Sequence, residues 1–225
     1  MFRNVRVTGF LIAIVAVVAA TVIICVCAVS CSGSKLTFNS CYYFVCYRIA
    51  DNSISASSLS GTVSSYGGAG YILNYDGNYY VTVSCYYTSN DAETVSSSLK
   101  KRDLDCSVLK VETDTYKLNG YSAKNNADLY LGNLNTLHSL SVLAYECANG
   151  LDTGNFSQSK AKDVISSLKS GLNGLLKANE SNCFTNKIEF LIAECEDKES
   201  GYIYSKDMRY LQIAVTDAII NAELY

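Results

Sequence analysis

The sequence predicts an α+β fold: a four-stranded antiparallel sheet in the order βαββαβ, behind one N-terminal transmembrane helix and ahead of a C-terminal helical bundle. Three observations carry this. Residues 41–112 partly repeat at a shift of 36 positions, Phe10 to Val29 form an unbroken apolar run, and from Ala123 onward apolar residues recur at helical spacing.

The run "FLIAIVAVVAATVIICVCAV" carries no charge, and Thr21 is its one polar residue. At 1.5 Å per residue it is about 30 Å long, the thickness of a bilayer's hydrocarbon core. A cleavable signal peptide has a shorter apolar region, of roughly 7–15 residues. Arg3 and Arg6 precede the run with no acid to offset them. Positive-inside bias keeps residues 1–9 cytoplasmic, makes 10–30 a signal anchor and sends the remainder outside. The expected location is therefore the cell membrane, single-pass, with the C-terminal part extracytoplasmic. A lipoprotein with Cys31 of "AVSC" lipidated is the rival; Ala28 stands where Leu is usual. Residues 31–40 are short and polar, and read as a linker.

The repeat gives the next elements. Tyr43, Val45 and Tyr47 fall on Tyr79, Val81 and Val83, at strand period. Ala56, Leu59 and Val63 fall on Ala92, Val95 and Leu99, at helix period, and Ile72 and Leu73 fall on Val108 and Leu109. Strands are expected near 42–48, 70–75, 79–86 and 106–112, with helices over Asn52–Ser65 and Asn90–Arg102. Asp76-Gly77 suits a two-residue hairpin turn between the halves. Ser89 or Asn90 would cap the second helix, with Asp91 and Glu93 at its start and Lys100, Lys101 and Arg102 at its end, complementing the macrodipole. Two helices then cover one face of a four-stranded sheet, a split-βαβ sandwich over 41–112.

The helical region follows at 113–225. Tyr130, Leu134, Leu137, Ser141 and Ala144 form one stripe, widened by Leu131, Leu140 and Cys147. After a turn at Asp152–Asn155, a second helix runs from Ser157 to Ala178 with Ala161, Val164, Leu168, Leu172 and Leu175 inward. Gly171 and Gly174 each weaken it by about 1 kcal/mol relative to Ala. Two shorter helices, near Cys183–Lys198 and Ser205–Ala222, complete a bundle.

Composition removes several functions. The net charge is −3 with no basic block, which argues against nucleic acid as a partner. Ten cysteines show no disulfide framework and no Cys-x-x-Cys pair, so no metal is expected, and most read as small buried apolar residues. His138 is the sole histidine and has no nucleophile at motif spacing. Glu194, Glu196, Asp197 and Glu199 read as a solvated helix end, and "GYIYSKDMRY" as bundle surface. Neither a cofactor nor an enzymatic activity is expected.

The stretch "YYVTVSCYYTSNDAETVSSSLKKRDLDCSVLKV" resembles the SPOR (sporulation-related repeat) domain. That family pairs an aromatic-Val-Gln-Val-Gly-Ser-aromatic strand with an Asn/Ala helix start, a Leu-x-x-Leu-Lys helix end and a second strand. "GGAGYI" is similar to a junction in such proteins from spore-forming Gram-positive lineages. The resemblance covers residues 41–112. It implies an RNP/ferredoxin-like sandwich outside the membrane and binding to peptidoglycan glycan strands, above all those stripped of peptides, in cell division or sporulation. Thr82 stands where the family favours Gln, with Cys46 as its repeat mate; Ser84 and Arg48 stand where it favours Gly.

Strand alternation sets Val81, Val83 and Cys85 on one face with Val45, beneath the helices. Tyr80, Thr82, Ser84 and Tyr86 take the other, beside Phe44 and Cys46. Rings stack under the C–H faces of sugars and hydroxyls bond their edges, so Phe44, Tyr80, Thr82, Ser84 and Tyr86 are the candidate glycan-binding residues. The competing expectation is that this face packs against the helices that follow. Two functions therefore stand open: a wall-binding module, or a degenerate SPOR-like scaffold that meets an envelope or divisome protein. Exposure of the sheet face separates them.

Overall fold

The computed structural model describes residues 35–118, 126–178 and 185–222. The expected anchor at Phe10–Val29 lies outside them, and among the described helices none is long and apolar enough to cross a membrane. The elements are β1 (Lys35–Ala50), α1 (Ser53–Ser65), β2 (Tyr71–Tyr75), β3 (Asn78–Tyr86), α2 (Ser89–Lys100) and β4 (Ser107–Lys117). Then come α3 (Ala127–Asp152), α4 (Gln158–Ala178), α5 (Thr185–Glu199) and α6 (Ser205–Ile220). The strands form one antiparallel sheet in the order β2-β3-β1-β4. The fold is α+β, and the first six elements follow the βαββαβ order.

Local chemistry explains the turns. Asp76 and Gly77 both take positive φ, at 50° and 74°, as the hairpin between β2 and β3 requires. The N-cap of α2 is Thr88, one residue before the expected caps; its Oγ1 accepts from the Asp91 N–H at 3.2 Å. Asn52 caps α1, accepting from the Ser55 N–H at 2.9 Å.

The sheet is the middle of three layers. On one face, Val45, Tyr86, Ala92 and Cys106 seat α2, while Ala50, Ala56, Val63 and Val81 seat α1. On the other, Tyr42, Phe44, Cys46, Leu73, Cys85 and Val111 share one continuous core with Leu137, Ala144, Leu168, Leu191 and Leu211 of the bundle. Helix α6 is the bundle's centre, buried on nearly all sides from Met208 to Ile219.

The structure departs from the sequence expectations at two places in the sheet. From Lys35 on, the expected 31–40 linker is strand: β1 starts at Lys35, Lys35–Thr37 pair with Thr115–Lys117, and Leu36 and Phe38 enter the core. The second is a bulge. Val45 lies opposite Ser84 but Cys46 lies opposite Thr82, so Val83 is an extra residue in β3. One inserted residue reverses the alternation beyond it. Val83 therefore packs on the α1/α2 side while Cys85 turns to the bundle, and Tyr86 turns to α2.

Candidate functional site

The five residues expected to hold glycan do not share an open face. Phe44 and Thr82 are fully buried, both at 0 % exposure, and Tyr80 packs half-buried against the sheet–bundle core. Ser84 lies opposite Val45 and is buried; its hydroxyl has no hydrogen-bond partner. Tyr86 belongs to the opposite, α2-facing core. The Thr82 hydroxyl is consumed internally, donating to the Tyr71 carbonyl at 2.8 Å.

Polar bonds fix the bundle over this face. Gln212 Nε2 of α6 donates to the Cys85 carbonyl at 3.0 Å, and Tyr71 OH donates to Asp217 Oδ2 at 2.9 Å. Tyr116 OH donates to the Ile219 carbonyl at 2.9 Å. Tyr87, just past β3, meets Ser141 Oγ at 2.8 Å, and Ser141 meets Thr216 Oγ1 at 2.7 Å, joining sheet, α3 and α6. Buried groups bonded in this way specify one docking geometry, because a slip orphans them, although Gln212 Oε1 itself has no hydrogen-bond partner. Gln212 and Thr216 are not among the residues that the sequence expectations mark. Their signal is a polar i, i+4 pair inside the apolar span from Met208 to Ile219 of α6.

His138 sits at the same interface. Its Nδ1 lies 3.1 Å from Tyr42 OH, and the rings of Phe38, Tyr42 and Tyr87 surround it at 5.7–6.3 Å. Burial pushes its pKa below the ordinary value, so the neutral ring is the form that fits. The acidic run is spent on surface ion pairs: Lys169 reaches Glu196 and Glu199, and Lys198 reaches Glu194 and Asp197. Among the described residues no group of three His, Cys, Asp or Glu is placed to hold a metal. The thiols of Cys41, Cys46, Cys85, Cys106, Cys147 and Cys195 are free; all but the half-buried Cys41 are buried. Burial drives Cys46, Cys147 and Cys195 up to about 12, so these are inert packing groups at neutral pH.

An open cleft lies elsewhere, beside the segment that leads into α6. A cleft of about 360 Å³ is bounded by Ser64, Ser65, Leu151, Tyr202, Tyr204 and Lys206. The segment before α6 alternates: Ile203 is buried, while Tyr202 and Tyr204 on either side are 64 % and 55 % exposed. Gln158 enforces this by bonding the Ile203 backbone twice, donating to its carbonyl at 2.8 Å and accepting from its N–H at 2.9 Å. The two tyrosine rings lie 4.9 Å apart, tilted by 50°. Lys206 Nζ donates to the Ser64 carbonyl at 3.0 Å and stands 5.8 Å from the Tyr204 ring centre. The "GYIYSKDMRY" stretch thus presents a pinned aromatic pair beside a cation, a surface suited to ring stacking and to a carboxylate.

Comparisons of the chain with protein-family profiles, with curated proteins and with solved structures return no match.

Proposed function

We propose that the chain is a non-catalytic scaffold, anchored in the cell membrane and facing outward, that holds an envelope or divisome protein. Its SPOR-like sheet is closed by its own helical region. The observation that carries this is the burial of Phe44 and Thr82 beneath the bundle. A glycan strand needs an open sheet, and opening this one would expose Tyr42, Phe44, Leu73, Cys85 and Val111 to water. Each large apolar side chain among them contributes about 1.5–3 kcal/mol by being buried. Stacking a few sugar rings does not offset that sum.

The exposed Tyr202–Tyr204 pair favours a second reading, in which peptidoglycan glycan strands meet the chain at the cleft instead of the sheet. Cosedimentation of the full chain, in detergent, with purified wall before and after amidase treatment separates the two. The scaffold reading expects no retention by either wall, and photo-crosslinking from position 204 in whole cells should give a protein adduct. Retention on amidase-treated wall that Tyr202→Ala with Tyr204→Ala abolishes would establish the glycan reading and overturn the first.

A further inference from the structure

The two edges of the sheet are treated differently. Edge strand β2 has five residues and is tied to α6, with Asn221 Nδ2 donating to the Asn74 carbonyl at 3.1 Å. Edge strand β4 has eleven residues, and among the described residues its one strand neighbour is β1. The bundle makes its main sheet contacts over β1, β3 and β2, leaving β4 at the margin. An uncovered ladder of backbone N–H and C=O groups is a template for another strand. Charged side chains often blunt such edges, above all where they would oppose their own sign. Here Lys110, Glu112 and Asp114 are exposed at alternate positions with mixed sign, and Lys110 Nζ already pairs with Glu112 at 2.6 Å.

We propose that β4 pairs with β4 of a second copy of this chain, antiparallel about a twofold axis through Val111, so that two four-stranded sheets become one of eight. This goes beyond the scaffold reading and does not depend on it. Charge selects the register. Antiparallel pairing about a residue keeps the outward-pointing backbone groups of both strands opposite one another. Centring on Lys110 opposes two lysines, centring on Glu112 opposes two glutamates, and centring on Thr113 sets Glu112 against Asp114 twice. Centring on Val111 sets Lys110 against Glu112 of the second copy, twice, with no like pair. Directly opposed residues lie close enough for such pairs to count. The two β1 strands would stand three strand spacings apart, about 14 Å, and each bundle would extend away from the axis.

Sedimentation of the full chain in detergent over a range of concentrations tests this. The wild type should form a dimer. Lys110→Glu should weaken it by about tenfold or more, since both opposed pairs become repulsive, and Glu112→Lys should do the same. The double variant Lys110→Glu with Glu112→Lys should restore the dimer. Mixing the two single variants should also restore it, as heterodimers, because the opposed signs return. A wild type that is monomeric throughout overturns the proposal. So does a dimer indifferent to Lys110→Glu, which is the result expected if copies associate through the N-terminal apolar segment.

Discussion

If the bundle is bonded to the sheet through Tyr87, Ser141 and Thr216, the two sides must be energetically coupled. Ser141 is fully buried and meets both Tyr87 and Thr216. In Ser141→Ala, Thr216 keeps its bond to the Gln212 carbonyl at 2.9 Å, but the Tyr87 hydroxyl is left in the interface without that partner. Losing a partner for a hydroxyl in such an interface costs about 1–3 kcal/mol, so a loss of about 2 kcal/mol is expected. Tyr87→Phe removes the same bond from the sheet side, while Ser141 retains Thr216; a loss of about 1 kcal/mol is expected. Once Ser141 is gone the Tyr87 hydroxyl has no Ser141 bond left to lose, so the double variant should lose about 2 kcal/mol and not the sum of about 3. The assay is urea unfolding of the chain from Lys35 onward, comparing four proteins with equal m-values. An interaction energy of about 1 kcal/mol is the expected outcome. Additivity within about 0.3–0.5 kcal/mol would mean that sheet and bundle do not share this bond, and would refute the coupling.

Two further outcomes follow from the same packing. Gly174 has nothing within 4 Å of the place a Cβ would take, so Gly174→Ala should stabilise the chain by about 1 kcal/mol in thermal or urea unfolding. Gly171→Ala should fall short of that gain, because its Cβ would meet Leu140 Cδ2 at 2.8 Å. His138 is held below its ordinary pKa by burial, so below about pH 6.5 the unfolded chain binds the extra proton first. Stability from the neutral ring is complete above that pH and is lost as pH falls through the folded-state value. Wild type should therefore lose more stability than His138→Gln between about pH 7.5 and 5.5, measured by urea midpoints; equal losses would place the titration elsewhere.

The sheet and its two helices are legible in the sequence because their signals are local. The alternation of Tyr43, Val45 and Tyr47 and the spacing of Ala92, Val95 and Leu99 survive without reference to the rest of the chain. What escapes is what the bundle decides. Leu36 and Phe38 sit in a polar stretch that reads as linker, and they become strand residues through contacts with a core built largely from residues far along the chain. The bulge at Val83 leaves no composition signal, yet it sends Cys85 to one core and Tyr86 to the other. Phe44, Tyr80 and Thr82 suit a sugar-binding face and a sheet–helix interface equally well, since Tyr and Thr bring an apolar body and a polar tip to either. The "GYIYSKDMRY" stretch reads as bundle surface; the cleft beside it is not legible, because its alternation depends on Gln158, 45 residues away.

Closure of the sheet face is most directly tested at Cys46, which lies beside Thr82 on the surface expected to hold glycan. Treating the native full chain with a maleimide and locating the adducts by peptide mass spectrometry compares it with the half-buried Cys41 on the same strand. The account predicts modification of Cys41 while Cys46 and Cys85 stay unmodified until denaturant is added, since both are buried and their thiols are held protonated. Labelling of Cys46 in native protein at the rate of Cys41 would mean that the face is open, and would return the glycan strand to the sheet.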